Sequence, residues 1–483
     1  MRRIAGLSTK KPLKKPAAKV SRRPPQPKKR TKRRQRSVPP LHANDLFGAV
    51  FKSIPAQDLK IWSRHFPAHM RADLQAPLEA LMASADYCVG AMPCYRSETL
   101  TMATLMNREE RERVEVGPLS YVEVDIGEDE PARCAMNAFI LRHAPLPHAI
   151  FLSAGNDPTE DRVIRVEIAV PRDHPDGQDF ASQCLRPFSD AVAHARSYRG
   201  KVLSLEKHEH YNGRVGGIQV HRMKRVDPSD VILPAPTRAL LDRCVLDFMK
   251  ARGSLRSLGF QTKRGVLLYG PPGTGKTHTI RYLASNLPGT TTLLITAEQV
   301  GLLPAYMSLA RLLQPSMVVI EDVDLIARSR DRMRSACDES MLNSLLNEMD
   351  GLKENSDILF ILTTNRPQDL EAALANRPGR IDQAIEVPVP DAPSRDKLVR
   401  LYARGLKLAD ALVAEAAKRT EGVSAAFIKE LMRRTAQAAI ARDGAKKVTE
   451  PTAADLGEAL DDMLFTGGQL NVRLLGGREE ARG

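Results

Sequence analysis

The 483-residue sequence predicts an α/β protein: an open parallel sheet with helices at 226–390, an α+β domain before it at 40–225 and a helical domain after it at 391–465. Three observations predict this. The glycine-rich run Gly270-Pro271-Pro272-Gly273-Thr274-Gly275-Lys276-Thr277 sits between an apolar stretch at 265–269 and a helical pattern at 277–287. Apolar runs at 316–320, 357–362 and 384–389 each read as buried strands about one βαβ unit apart, with polar or acidic residues at the carboxyl ends of the first two. Past Pro390 the period turns helical, over 394–406, 408–419, 425–442 and 453–463.

Taken from the amino terminus, residues 1–39 are a basic tail predicted to be disordered, because so few large apolar side chains cannot offset the entropy of ordering. The formal charge of +14 belongs to this tail: residues 1–37 hold 16 Lys or Arg and no acid, which leaves 56 basic against 58 acidic residues for the rest. Such a tail can hold the phosphates of nucleic acid or another anionic partner, or serve as a solvated extension; no aromatic side chains are interleaved to stack bases. Residues 41–112 carry a helical period. Strands follow at 121–126, 138–141, 149–152 and 163–170, then a helix at 179–197 and strands at 201–205 and 217–221. His208-Glu209-His210 offers two imidazoles on one strand face but no third ligand and no HExxH helix, which favours a solvent-facing hairpin end over zinc. The six cysteines, Cys88 and Cys94 among them, form no CxxC pair and read as reduced thiols. No apolar run approaches the ~20 residues of a membrane span, so a soluble cytoplasmic protein is expected. Residues 466–483 read as a flexible tail.

The glycine-rich run has the GxxxxGKT spacing of a phosphate-binding loop in the strand-loop-helix setting it requires. Glycines let successive N–H groups face the phosphates, and the helix start adds a positive dipole end. Gly270 to Thr277 and the next residue, His278, would therefore hold a nucleoside triphosphate, with Lys276 at the β- and γ-phosphates and the Thr277 hydroxyl on Mg²⁺. The strand at 316–320 ends in Glu321-Asp322-x-Asp324, at the edge where ligands gather in open α/β sheets. Hydrolysis needs acids there, one to organise the metal's waters and one to polarise the attacking water; a strand merely ending in a charged loop is the alternative. Asn365, closing Thr363-Thr364-Asn365 after the next strand, can orient that water.

Together with Leu374-Ala-Asn-Arg377-Pro-Gly-Arg380-Ile-Asp382, these motifs resemble the AAA+ ATPases, in particular the classical AAA clade, over about residues 226–465. The resemblance implies ATP and Mg²⁺ as ligands, a sheet order of 5-1-4-3-2 and a helical lid over the adenine. It implies Asn365 as a sensor of the γ-phosphate, and Arg377 and Arg380 as arginine fingers acting on a neighbour's ATP in a homo-oligomeric ring, a hexamer in this family. Ion pairing is the alternative for both arginines. A guanidinium at the transferring phosphoryl neutralises developing charge and is worth about 10³ to 10⁵ in rate.

Two departures stand out. The acidic pair is reversed, Glu321 then Asp322, so Glu321 has one methylene more toward the metal's waters and Asp322 one fewer toward the lytic water; slow hydrolysis is expected. In the segment 296–314 an aromatic-Gly pore motif is missing, and Leu302, Leu303 and Tyr306 are expected to pack in the core. A ring motor that remodels an unknown protein client is the leading expectation. A nucleotide-gated assembly module with slow turnover and a nucleic-acid-associated ATPase recruited by residues 1–37 are the rivals. No base-reading NKxD motif points to GTP, and no HExxH follows the lid.

Overall fold

The structure, a computed structural model, describes residues 42–52, 54–93, 99–107, 109, 113–155, 163–206, 217–328, 347–351, 356–368, 380–444 and 449–466. The basic tail 1–39, Cys94, His208, His210, Arg377 and residues 467–483 lie outside the described residues.

The first layer runs α1 (Ala43–Phe51), β1 (Leu59–Pro67), α2 (Arg71–Met82), β2 (Tyr87–Met92), α3 (Met102–Met106), β3 (Glu115–Gly117), β4 (Ser120–Val124), β5 (Ala132–Met136), β6 (Ala138–Arg142), β7 (His148–Gly155), β8 (Val163–Pro171) and α4 (Gly177–His194). An antiparallel sheet of order β1-β8-β7-β6-β2-β3 forms its centre, with β4 and β5 as a separate hairpin. Both faces are covered, so β6 and β7 are apolar at nearly every position. Phe139 and Phe151 pack with Phe47 and Leu105 of α1 and α3 on one face. Ile140 and Ile150 pack with Leu74 and Phe188 of α2 and α4 on the other. The helical reading of 41–112 is corrected by β1 and β2. An edge strand such as β1, with Lys60, Ser63, Arg64 and His65 exposed, shows no clean two-residue period.

The second layer comprises β9 (Val202–Leu205), β10 (Ile218–Val220), α5 (Ala235–Leu241), a π-helical turn leading into α6 (Phe248–Ser257), β11 (Arg264–Tyr269), α7 (Lys276–Asn286), β12 (Thr291–Ile295), α8 (Leu303–Leu312), β13 (Ser316–Ile320), α9 (Val323–Arg328), β14 (Ile358–Thr364) and β15 (Gln383–Glu386). Its sheet has the order β10-β9-β12-β13-β14-β11-β15, parallel except for β10 against β9. With β11 to β15 counted as one to five, the neighbours run 5-1-4-3-2. Every residue of β13 and β14 is buried, each strand being sealed by apolar clusters on both faces. β9 and β10 fall within 40–225, yet β9 pairs with β12. The sheet therefore crosses the boundary expected at 225/226, because Leu203 and Ile218 bury against Leu293 and Tyr306.

Among the described residues four α-helices follow: α10 (Ala392–Tyr402), α11 (Asp410–Arg419), α12 (Ala425–Asp443) and α13 (Ala453–Asp461). Asp391, Ser424 and Thr452 cap α10, α12 and α13 by accepting from backbone N–H groups, which fixes where each begins. Val399, Val413, Phe427, Leu431 and Leu460 make a core of their own. Among the described residues no helix is long and apolar enough to cross a membrane.

Candidate functional site

Parallel pairing of β13 with β14 and of β14 with β11 brings the carboxyl ends of three strands to one sheet edge. The loop from Gly270 to Gly275 leaves β11 there. Gly273 and Gly275 hold φ of 76° and 107°, a left-handed backbone that glycine adopts at little cost. A Cβ on Gly275 would meet no atom within 4 Å, so the loop is open on that side. α7 starts at Lys276 with no side-chain cap, so the N–H groups of its first turn are left for a ligand. Thr277 and His278 are exposed on that turn, as are Pro271 and Pro272 in the loop, while the Thr274 hydroxyl donates to the Pro271 carbonyl at 2.9 Å.

Lys276 is buried. Its Nζ donates to the carbonyls of Gly270 at 2.7 Å and Pro271 at 3.0 Å and to Asn365 Oδ1 at 2.7 Å. Burial pushes its pKa down, and the carboxylates of Asp322 and Asp324 act against that shift. Asn365 Nδ2 donates in turn to Asp322 Oδ1 at 3.2 Å. A continuous chain thus links the loop's ammonium, the amide after β14 and the second acid after β13. Asp322 itself is held at φ 51°, with its N–H donating to Thr363 Oγ1 at 3.0 Å. Asp324 is buried and accepts from the Thr364 hydroxyl and the Asn365 N–H. Glu321 is half-buried, its N–H on the Ile295 carbonyl at 3.0 Å.

Arg380 is buried and forms an ion pair with Asp350 of its own chain; its Nη1 has no hydrogen-bond partner. The ion-pairing alternative is thus what a single chain displays for Arg380. Arg377 is outside the described residues. The segment 296–314 also follows the core reading: Leu303 and Tyr306 are buried, and the Tyr306 hydroxyl accepts from the Leu205 N–H at 2.7 Å and donates to Gln299 at 3.2 Å.

Sequence reasoning missed how the helical domain reaches the loop. The Ala426 N–H donates to the Gly273 carbonyl at 3.0 Å, and a Cβ on Gly273 would press on Ser424 and Ala426. His278 Nε2 lies 3.3 Å from the Asp230 carbonyl, and the Asp230 carboxylate pairs with Arg404 at 2.6 Å. Ile232 packs on the helical core while Val231 joins the sheet's core. The stretch 226–234 therefore straps the two bodies together beside the loop, and nothing in its composition signals that role. The open cradle, the buried ammonium, an exposed hydroxyl at the helix start and convergent acids are the donor set that a Mg²⁺-bound nucleoside triphosphate requires.

Residues 266–389 match the family model described as "ATPase family associated with various cellular activities (AAA)". Among curated relatives, an ATP-dependent zinc metalloprotease FtsH of Thermus thermophilus is 34% identical over 238 residues, 46% of this chain and 36% of that protein. A proteasome-activating nucleotidase of Methanocaldococcus jannaschii is 31% identical over 257 residues, 50% of this chain and 55% of that protein. The chain spans from about a third to just over half the length of these relatives.

Proposed function

We propose, from the premise that residues 266–389 form an AAA module of the classical clade, that this chain binds ATP with Mg²⁺ and hydrolyses it within a homo-oligomeric ring that remodels a protein or macromolecular complex. The observation that carries the reading is the Lys276–Asn365–Asp322 chain at the mouth of an open glycine cradle. When bound, Mg²⁺ neutralises phosphate charge and organises water. The loop's N–H groups and the start of α7 would seat the phosphates, and Thr277, with Glu321 through water, would hold the metal. Lys276 leaves the Gly270 and Pro271 carbonyls and Asn365 Oδ1 for phosphate oxygens. That departure frees Asn365 to orient water against Asp322, whose carboxylate accepts its proton. α10 to α13 act as the lid through Ala426 and the strap at 226–234. Arg377, with Arg380 once released from Asp350, would complete a neighbour's site, in a hexamer if the chain assembles as its relatives' family does. A second reading, a nucleotide-gated assembly module with slow turnover, draws on the burial of Tyr306, which leaves that aromatic unable to grip a threaded polypeptide.

Steady-state turnover and equilibrium ATP binding test both readings. Lys276→Ala should abolish binding and turnover together. Asp322→Asn should keep binding while turnover falls by about 10² or more, and Arg377→Ala should cost about 10³ with the fold intact. Turnover untouched by Lys276→Ala would end the enzymatic reading, and turnover untouched by Arg377→Ala would end the shared site.

A further inference from the structure

Three acids follow β13, and the structure gives them different surroundings. Glu321 and Asp322 are half-buried at the sheet edge, within reach of a ligand, whereas Asp324 is 3% exposed and turned inward. Its Oδ1 takes two hydrogen bonds from the end of the neighbouring strand: the Thr364 hydroxyl at 2.9 Å and the Asn365 backbone N–H at 3.2 Å. Thr364 Oγ1 also accepts from the Arg366 N–H at 2.9 Å, so Thr364, the last residue of β14, and the two residues after it hang on one carboxylate. A group this enclosed has no path to a substrate. It does fix the Cα of Asn365, whose side-chain amide spans Lys276 and Asp322. Charge-assisted bonds in a low-dielectric setting are stronger than neutral ones, which suits a group that must hold an amide to a few tenths of an ångström.

We propose that Asp324 is the positioning residue for Asn365: by pinning the Thr364–Asn365 backbone it aims the amide at the γ-phosphate, and it thereby sets how well the site tells a triphosphate from a diphosphate. This rests on the nucleotide reading above and adds to it a residue outside the reacting atoms. Asp322 cannot substitute, because its carboxylate meets the far end of the same amide.

The test is a double-mutant cycle on binding, which needs no turnover. Dissociation constants for ATP and for ADP are measured by calorimetry on the full chain for wild type, Asp324→Asn, Asn365→Ala and the double variant. The ratio Kd(ADP)/Kd(ATP) should fall about 10-fold in Asn365→Ala, the loss of one hydrogen bond to a charged phosphate. In Asp324→Asn it should fall 3- to 10-fold with Kd(ADP) unchanged, and the double variant should match Asn365→Ala alone. Should Asp324→Asn not fold, Thr364→Val carries the test: it removes one donor, should lower the ratio, and should be rescued by Thr364→Ser. A ratio within twofold of wild type in the folded variant, or effects that multiply in the double variant, overturns the proposal. Wild-type protein that binds neither nucleotide overturns the functional reading itself, and this inference falls with it.

Discussion

Gly265 and Asp382 exchange two hydrogen bonds: the Gly265 N–H donates to the Asp382 carboxylate at 2.7 Å and the Asp382 N–H donates to the Gly265 carbonyl at 2.8 Å. Asp382 closes the motif that begins at Leu374, and Gly265 is the second residue of β11, the strand that delivers the glycine-rich loop. The two ends of the candidate site are thereby fastened to one strand, five residues from Gly270. Displacement of Arg380 would be felt along β11, since the carbonyl of Arg380 fills the space where a side chain at 265 would begin.

Gly265→Ala is accordingly expected to destabilise the chain. A Cβ there would overlap the Arg380 carbonyl and approach Ile381, both backbone, so relief requires the strand and the turn to part. Overpacking of this kind costs about 1 to 3 kcal/mol, or several degrees in thermal midpoint for a domain of this size. Thermal unfolding checks it; an unchanged midpoint would show that the turn can move freely.

The chemistry of the site was legible because its residues are fixed by what they must touch. Glycines at 270, 273 and 275, Lys276, the acids after β13 and Asn365 announce themselves by type and spacing, and the structure gathers Lys276, Asp322 and Asn365 into one chain. β13 and β14 were legible for a second reason, since strands buried on both faces are apolar throughout. What escaped was set by partners distant in sequence. β1 is an edge strand with a mostly polar surface, and β9 joins the second sheet through parallel pairing with β12, about 90 residues away. The strap at 226–234 escaped for the same reason, its Asp230 being recognisable only once Arg404 is beside it.

Tyr306→Phe separates core from pore. The ring is fully buried, and its hydroxyl is the acceptor for the Leu205 N–H at the β9 edge. Removing the oxygen leaves that donor unpaired at a cost of about 1 to 3 kcal/mol. The expected outcome is a lower unfolding midpoint with ATP binding retained. A stable variant that lost only client processing would instead place Tyr306 in contact with the client.

Acid should weaken the amino-terminal domain through His69. Its Nε2 is shut off from solvent without a hydrogen-bond partner, and burial lowers its pKa from 6.5 to about 4. The unfolded chain takes up a proton near pH 6.5 and the folded chain does not until about pH 4. The unfolded state therefore binds more protons across that window, and stability falls as pH drops through it. From pH 7 to 4.5 the loss from this one group is about 2 kcal/mol. Denaturant unfolding at both pH values should show Leu in place of His69 to have a smaller acid loss by that amount; an equal loss would mean that the imidazole protonates in the fold.

Arg199 ties the amino-terminal layer to the second sheet. Its guanidinium donates to the carbonyls of His194 at 2.6 Å and Ala193 at 3.0 Å, at the end of α4, and to those of Leu312 at 2.9 Å and Gln314, where α8 gives way to β13. Helix carboxyl ends carry unpaired carbonyls and the negative end of the dipole, so one planar cation serves two of them at once. Met70, packed in the same apolar cluster as Tyr198 and Val318, seals the junction. β13 leads directly to Glu321 and Asp322, and so movement of those acids has a short mechanical path to α4. Arg199→Ala should raise amide hydrogen exchange in the last turn of α4 and the last turn of α8 together, with a stability loss of about 2 kcal/mol. Arg199→Lys should recover only part of it, since an ammonium cannot span both ends as a fork does. Exchange that rises in one helix and not the other would show that the arginine decorates a single helix end and couples nothing.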